Sequence, residues 1–89
     1  MNTAQEQDLI DRANAMGKRA IGNKFTIKLT EKGRANKVTV SGTIVECGFG
    51  YFSKKHNLVG TRTSAIFKVV LEVGPNKILR EFHVASIPQ

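Results

Sequence analysis

Ala65-Ile66-Phe67-Lys68-Val69-Val70-Leu71-Glu72-Val73, then Gly74-Pro75-Asn76-Lys77, then Ile78-Leu79-Arg80-Glu81-Phe82-His83-Val84: residues 65–84 decide the fold class. Ala65, Phe67, Val69, Leu71 and Val73 share one parity, and Ile66, Lys68, Val70 and Glu72 the other. A period of two is that of a strand, whose side chains alternate between faces. After the turn, Ile78, Arg80, Phe82 and Val84 alternate with Leu79, Glu81 and His83. Proline and asparagine suit the turn between them, so the stretch predicts an antiparallel hairpin.

Working backward, Phe25, Ile27 and Leu29 alternate with Lys24, Thr26, Lys28 and Thr30, which predicts a half-buried strand with a basic outer face. The polar, glycine-containing segment 31–36 reads as a loop. A second strand begins at Lys37 and runs through Cys47, and Gly42 within it predicts a bulge or bend. Residues 53–63 are polar and basic and read as a long mobile hairpin loop. At the other end, Leu9, Ala13, Met16 and Ala20, with Ile10 beside them, form one narrow stripe at helical period. Thr3 and Glu6 have capping-box spacing, Lys18 and Arg19 suit the far end of the dipole, and Gly17 or Gly22 stops the helix, with Gly22 the better reversal. The expected organisation is a single domain, 1–89, with a helix over about 3–21 and a β-barrel over about 23–88.

So short a sheet must curl and close or leave bare edges. The expected fold is mainly β with one N-terminal helix, as a strongly bent four- to five-stranded antiparallel barrel. Residues Gly22 to Pro88 resemble an SH3-like or Tudor-like small β-barrel. The likeness rests on Gly22-Asn23-Lys24-Phe25-Thr26-Ile27 as a first strand and Val40-Ser41-Gly42-Thr43-Ile44-Val45 as a strand with a glycine at its bend. It also rests on the 67–73 and 80–87 segments as the late hairpin and closing turn. The leading helix and the 53–63 segment depart from the minimal barrel.

Charge points to the partner. Fourteen Lys and Arg oppose seven Asp and Glu among 89 residues, a net charge of +7. Residues 1–17 carry Arg12 against Glu6, Asp8 and Asp11; the other thirteen basic and four acidic side chains follow residue 17. The positive field therefore belongs to the body of the domain, and such a field attracts polyanions and gains free energy by releasing their counterions. Hydrophobic residues make up 40% of the chain, enough for one core. No run approaches the ~18 apolar residues of a membrane span. The first twenty residues lack the apolar region of a secretory signal, so the expected compartment is the cytoplasm, with no membrane partner.

Catalytic chemistry finds little purchase. Cys47 is the sole cysteine, forms no CxxC clip, and has only His56 and His83 as candidate bases. Gly48 and Gly50 do not make a phosphate-binding loop. Ser64 and Ser86 have no base nearby in sequence, and Glu46, Glu72 and Glu81 are expected to pair with exterior lysines. No enzyme activity, catalytic residue, metal or cofactor is expected.

The binding constellation is richer. Lys18, Arg19 and Lys24 flank the helix–strand junction; Lys32, Arg34 and Lys37 flank the first loop; Lys54, Lys55 and Arg62 lie in the 53–63 segment. Loops at one end of a barrel would join them into a continuous positive rim. Phe49, Tyr51 and Phe52 interleave with this charge, and simple alternation makes Phe49 and Tyr51 co-facial with Phe52 opposite. Tyr51 is taken as the exposed ring, available for base stacking. The expected function is binding of RNA or single-stranded nucleic acid with little sequence specificity, since no recognition helix is visible. The alternative is a protein-interaction module or inhibitor, of the kind found among phage or mobile-element accessory proteins, that docks on an acidic host protein, with or without RNA. Exposed sheet edges leave room for a homodimer.

Overall fold

The computed structural model describes residues 3–30 and 37–87. The predicted 31–36 loop, with Lys32 and Arg34, and Pro88 of the closing turn lie outside the described residues. Helix α1 spans Thr3–Ala20, and four strands follow: β1 Lys24–Thr30, β2 Lys37–Asn57, β3 Gly60–Val73 and β4 Ile78–Val84. They form one antiparallel sheet in the order β1-β2-β3-β4. Each neighbour is the next in sequence, so the sheet is a meander whose hairpins form from local chain reversals.

The helix ends where the apolar stripe ends. Gly22 adopts φ +94°, a left-handed conformation that glycine enters without steric cost. The Gly22 N–H donates to the Ile44 carbonyl at 2.8 Å, and the Ile44 N–H donates to the Asn23 carbonyl at 2.9 Å. Gly17, the other predicted stop, instead lies buried in the last turns. A Cβ there would sit 2.3 Å from the Cys47 carbonyl oxygen, so helix and strand backbones touch at this point.

The sheet is staggered. β1 pairs with β2 only from Thr30↔Lys37 to Lys24↔Thr43. β3 takes over at Thr43↔Glu72 and follows β2 to Asn57↔Gly60. β4 pairs with the near half of β3, from Val73↔Ile78 to Phe67↔Val84. Past Thr43, the edge of β2 that β1 vacates is occupied by α1. Asn14 Oδ1 accepts the Phe49 N–H at 3.0 Å there.

Ala13 and Ala20 of α1, Ile27, Ile44, Cys47, Phe67, Val69, Leu71 and Ile87 form the buried cluster. Ile44, Val69 and Leu71 are fully buried, a burial that contributes roughly 2 kcal/mol for each such side chain. Ile87 follows β4 and returns toward β1, where Ser86 and Ile87 share a depression with Lys24, Phe25 and Thr26. β1 and β4 remain the two edges of an open sheet.

Two sequence expectations change. Gly42 stays in register opposite Phe25 and so is not a bulge; the irregularities fall at Val45, between Ile44 and Glu46, and at Gly50, between Phe49 and Tyr51. The 53–63 segment is no long loop: β2 and β3 continue through it, and only Leu58 and Val59 form the turn. This hairpin projects beyond the rest of the sheet. The radius of gyration is 14.9 Å, against about 12 Å for a compact chain of this length.

Candidate nucleic-acid interface

Strand parity and the Gly50 bulge build the site. Before the bulge, Cys47 and Phe49 point inward opposite Val69 and Phe67; after it, Phe52 points inward opposite Ala65. The extra residue resets the alternation. Phe49 and Phe52 therefore meet on the inner face, ring centroids 4.8 Å apart. Tyr51 is turned to the outer face and is 50% exposed. The predicted co-facial Phe49–Tyr51 pair is thus replaced by Phe49–Phe52. Tyr51 remains the exposed ring, for a reason that unbroken alternation does not supply.

On the outer face Tyr51 meets His83 of β4 edge-on, at 5.4 Å between centroids. Lys68 stands opposite His83 across the β3–β4 ladder. Farther out, Lys55 and Arg62 face each other on one rung, with Ser53 and Ser64 on the rung between. The result is a strip with two aromatic rings at its base and Lys68, Lys55 and Arg62 along it. Gly48 and Gly50 make room for neighbouring side chains: a Cβ at Gly48 would meet Asn14 Oδ1 at 2.8 Å, and one at Gly50 would meet the His83 ring at 3.0 Å.

The opposite end of this face differs. Glu72 lies on the Thr43 rung, and Glu46 and Glu81 lie on either side of Val70. Together they form an acidic band between the Tyr51 strip and the basic outer face of β1, where Lys24 and Lys28 stand opposite Thr43 and Thr39. The glutamates were expected to pair with exterior lysines; Glu81 instead lies 3.9 Å from His83 Nε2. Glutamates close to Tyr51 would repel a polyanion, so the attractive part of the face begins at Lys68 and runs outward.

The single basic rim expected from the sequence separates into patches. Lys18 and Arg19 occupy the last turn of α1, with Lys24 just beyond. Lys54 shares a depression with Gln5 and Glu6 near the first turn. Twelve helical residues from Glu6 to Lys18 set these patches roughly 18 Å apart. Lys37 pairs with Thr30 at the start of β2, at the opposite end of that strand from Lys54 and Lys55. Of the ten proposed residues, the structure brings together Tyr51, Lys55 and Arg62 on one face, with Lys54 on the other side of the same hairpin. Lys68 and His83 were missed as site residues. Cross-strand register would have found them, since both occupy the polar parity of strands read correctly from the sequence.

Cys47 is buried, and loss of solvent raises its thiol pKa above the ordinary value. A thiol held neutral is a poor nucleophile. Among the described residues, no group of three or more His, Cys, Asp or Glu is placed to hold a metal ion. No described helix is long and apolar enough to cross a membrane. No protein-family model matches this chain, and no curated protein or solved structure is found similar to it.

Proposed function

We propose that this protein binds nucleic acid, with RNA or single strands preferred, on the outer face of its sheet around Tyr51. One observation carries the reading: a half-exposed ring, edge-on to His83, at the base of a strip bearing Lys68, Lys55 and Arg62. Bases stack on such a ring without regard to sequence, at about 1–3 kcal/mol each, while the cations follow the phosphates. The proposed role is binding without catalysis, in the cytoplasm. The sheet is read as a strongly bent SH3-like barrel, supported by the return of Ile87 toward Phe25.

The test is fluorescence anisotropy with a labelled single-stranded oligonucleotide at several salt concentrations. Affinity is expected to fall steeply with salt. Tyr51→Ala is expected to weaken binding about tenfold without lowering the melting temperature. Salt-independent binding, or an unchanged Tyr51→Ala affinity, would defeat the reading.

A second reading, a module that docks on another protein, draws on β4. This edge strand carries Ile78 and Leu79 at 58% and 62% exposure, and an open edge accepts a partner strand. It predicts a stoichiometric complex that survives nuclease treatment.

A further inference from the structure

Between Glu46 and Glu72 the chain has no carboxylate side chain, and it has four basic ones: Lys54, Lys55, Arg62 and Lys68. Most of that interval is the projecting hairpin, paired from Tyr51↔Ile66 to Asn57↔Gly60. No third strand lies beside it, because β1 leaves β2 at Thr43 and β4 leaves β3 at Phe67. It is a two-stranded ribbon, roughly 23 Å long at strand rise, with Gln5 and Glu6 of α1 beside Lys54, Thr61 and Thr63 on one face. Lys54 stands on one face, and Lys55 and Arg62 on the other.

The tip has the opposite character. Leu58 and Val59 are 107% and 96% exposed. They are held in place: Asn57 Oδ1 accepts the N–H groups of Val59 and Gly60, each at 2.9 Å. On the next rung, Thr61 Oγ1 and His56 Nδ1 lie 2.9 Å apart. Two adjacent aliphatic side chains fully in water, on an ordered turn flanked by cations, fit a polyanion with an apolar interior.

We propose that this arm enters the major groove of B-form duplex DNA tip first. Leu58 and Val59 then meet base-pair edges, and Lys54, Lys55 and Arg62 meet the phosphates on the two sides. The dimensions agree. The groove is about 12 Å wide and 8.5 Å deep and admits a two-stranded ribbon. The Lys55–Arg62 rung lies three residues behind Leu58, about 10 Å, so a tip at the groove floor brings these cations level with the backbone. The minor groove, about 6 Å wide, is too narrow for paired strands, and the deep, narrow major groove of duplex RNA excludes them. Aliphatic tips also suit thymine methyl groups, which favours A·T-rich sites. An anionic membrane fits less well. Bringing Lys55 and Arg62 to its headgroups would immerse polar His56, Asn57 and Thr61 in hydrocarbon. This surface goes beyond the Tyr51 strip, since its apolar contacts come from different side chains and its ligand is a duplex.

The experiment compares anisotropy of three labelled probes of one A·T-rich sequence: a 20-base-pair DNA duplex, the matching RNA duplex and a DNA single strand. Wild-type protein is expected to bind the DNA duplex at least about tenfold more tightly than the RNA duplex. The double variant Leu58→Ser/Val59→Ser is expected to lose about tenfold on duplex DNA, with single-strand binding and melting temperature unchanged. Lys55→Ala should lower the slope of log affinity against log salt by about one. Equal affinity for the two duplexes, or an unchanged double variant, overturns the proposal. Tip-dependent capture by phosphatidylserine vesicles stronger than by duplex DNA also overturns it and assigns the tip to a membrane surface. Failure of single-strand binding sinks the Tyr51 reading alone, because Tyr51→Ala leaves the tip contacts intact.

Discussion

The two halves of the β2–β3 hairpin are continuous in backbone and opposite in physics. The near half, around Ile44, Cys47, Val69 and Leu71, has α1 along its edge and the buried cluster beneath it. The far half, 53–64, has its own cross-strand pairs and a shallow border with Gln5 and Glu6 of α1, with intermediate or exposed residues throughout. Burial holds the first in place; ladder hydrogen bonds and rung contacts hold the second, and a two-stranded ribbon is marginal by itself. One pair of strands can thus anchor a domain and also project a surface whose residues are free to vary without unfolding it.

That contrast can be broken or sharpened by substitution. The largest effect is expected at Leu71, fully buried in the near half. Leu71→Ala should cost about 3–4 kcal/mol in urea denaturation, whereas removing an apolar side chain of the far half, as in Leu58→Ala, should leave the midpoint within ~0.5 kcal/mol. Equal losses would erase the distinction. Next comes Gly17→Ala. Its Cβ would fall 2.3 Å from the Cys47 carbonyl oxygen, which forces helix and strand apart at a cost of about 2–3 kcal/mol; unchanged stability would mean that α1 is loosely seated. A smaller effect is expected at Cys47. Burial raises its pKa above the ordinary 9.0, so the folded chain holds that proton more tightly than the unfolded one. The resulting stability is whole below pH 9.0 and is lost as pH rises through the raised value. Cys47→Ala should therefore flatten the alkaline decline in denaturation midpoint, and native protein should react with a thiol reagent far more slowly than unfolded protein. The smallest effect belongs to Asn57→Ala, which removes the acceptor for two turn amides. Amide exchange of Val59 and Gly60 should accelerate while global stability moves by less than about 1 kcal/mol.

What was legible in the sequence follows the same division. α1, β1 and the near part of β3 were readable because each buries one face and so leaves a hydrophobic period; β4 was readable from Phe82 and Val84, which are half-buried against the cluster. The far half of the hairpin leaves none. Lys54, Lys55, His56 and Asn57 are exposed on both faces, so polar strand and polar loop look alike. The bulge at Gly50 was hidden for another reason: a single inserted residue changes parity without changing composition. The separation of the basic groups depends on strand length, since reading 53–63 as a loop folds Lys54 and Arg62 back toward Lys37. Tyr51 as the outward ring survived only because Phe52, rather than Tyr51, joins Phe49 inside.

The place of α1 beside β2 has one more consequence. From Ile44 to Phe49 the strand's outer amides and carbonyls meet Asn14, Gly22 and Asn23, so the helix stands guard over a seam that another copy could otherwise zip onto. A chain starting after residue 21 keeps Gly22 and Asn23 but bares the stretch from Cys47 to Phe49 that Asn14 and Gly17 cover, and it should self-associate, visible as light scattering at concentrations where the intact protein stays clear. Covering a strand edge is thus a task of the N-terminal segment, one that surface charge alone does not perform.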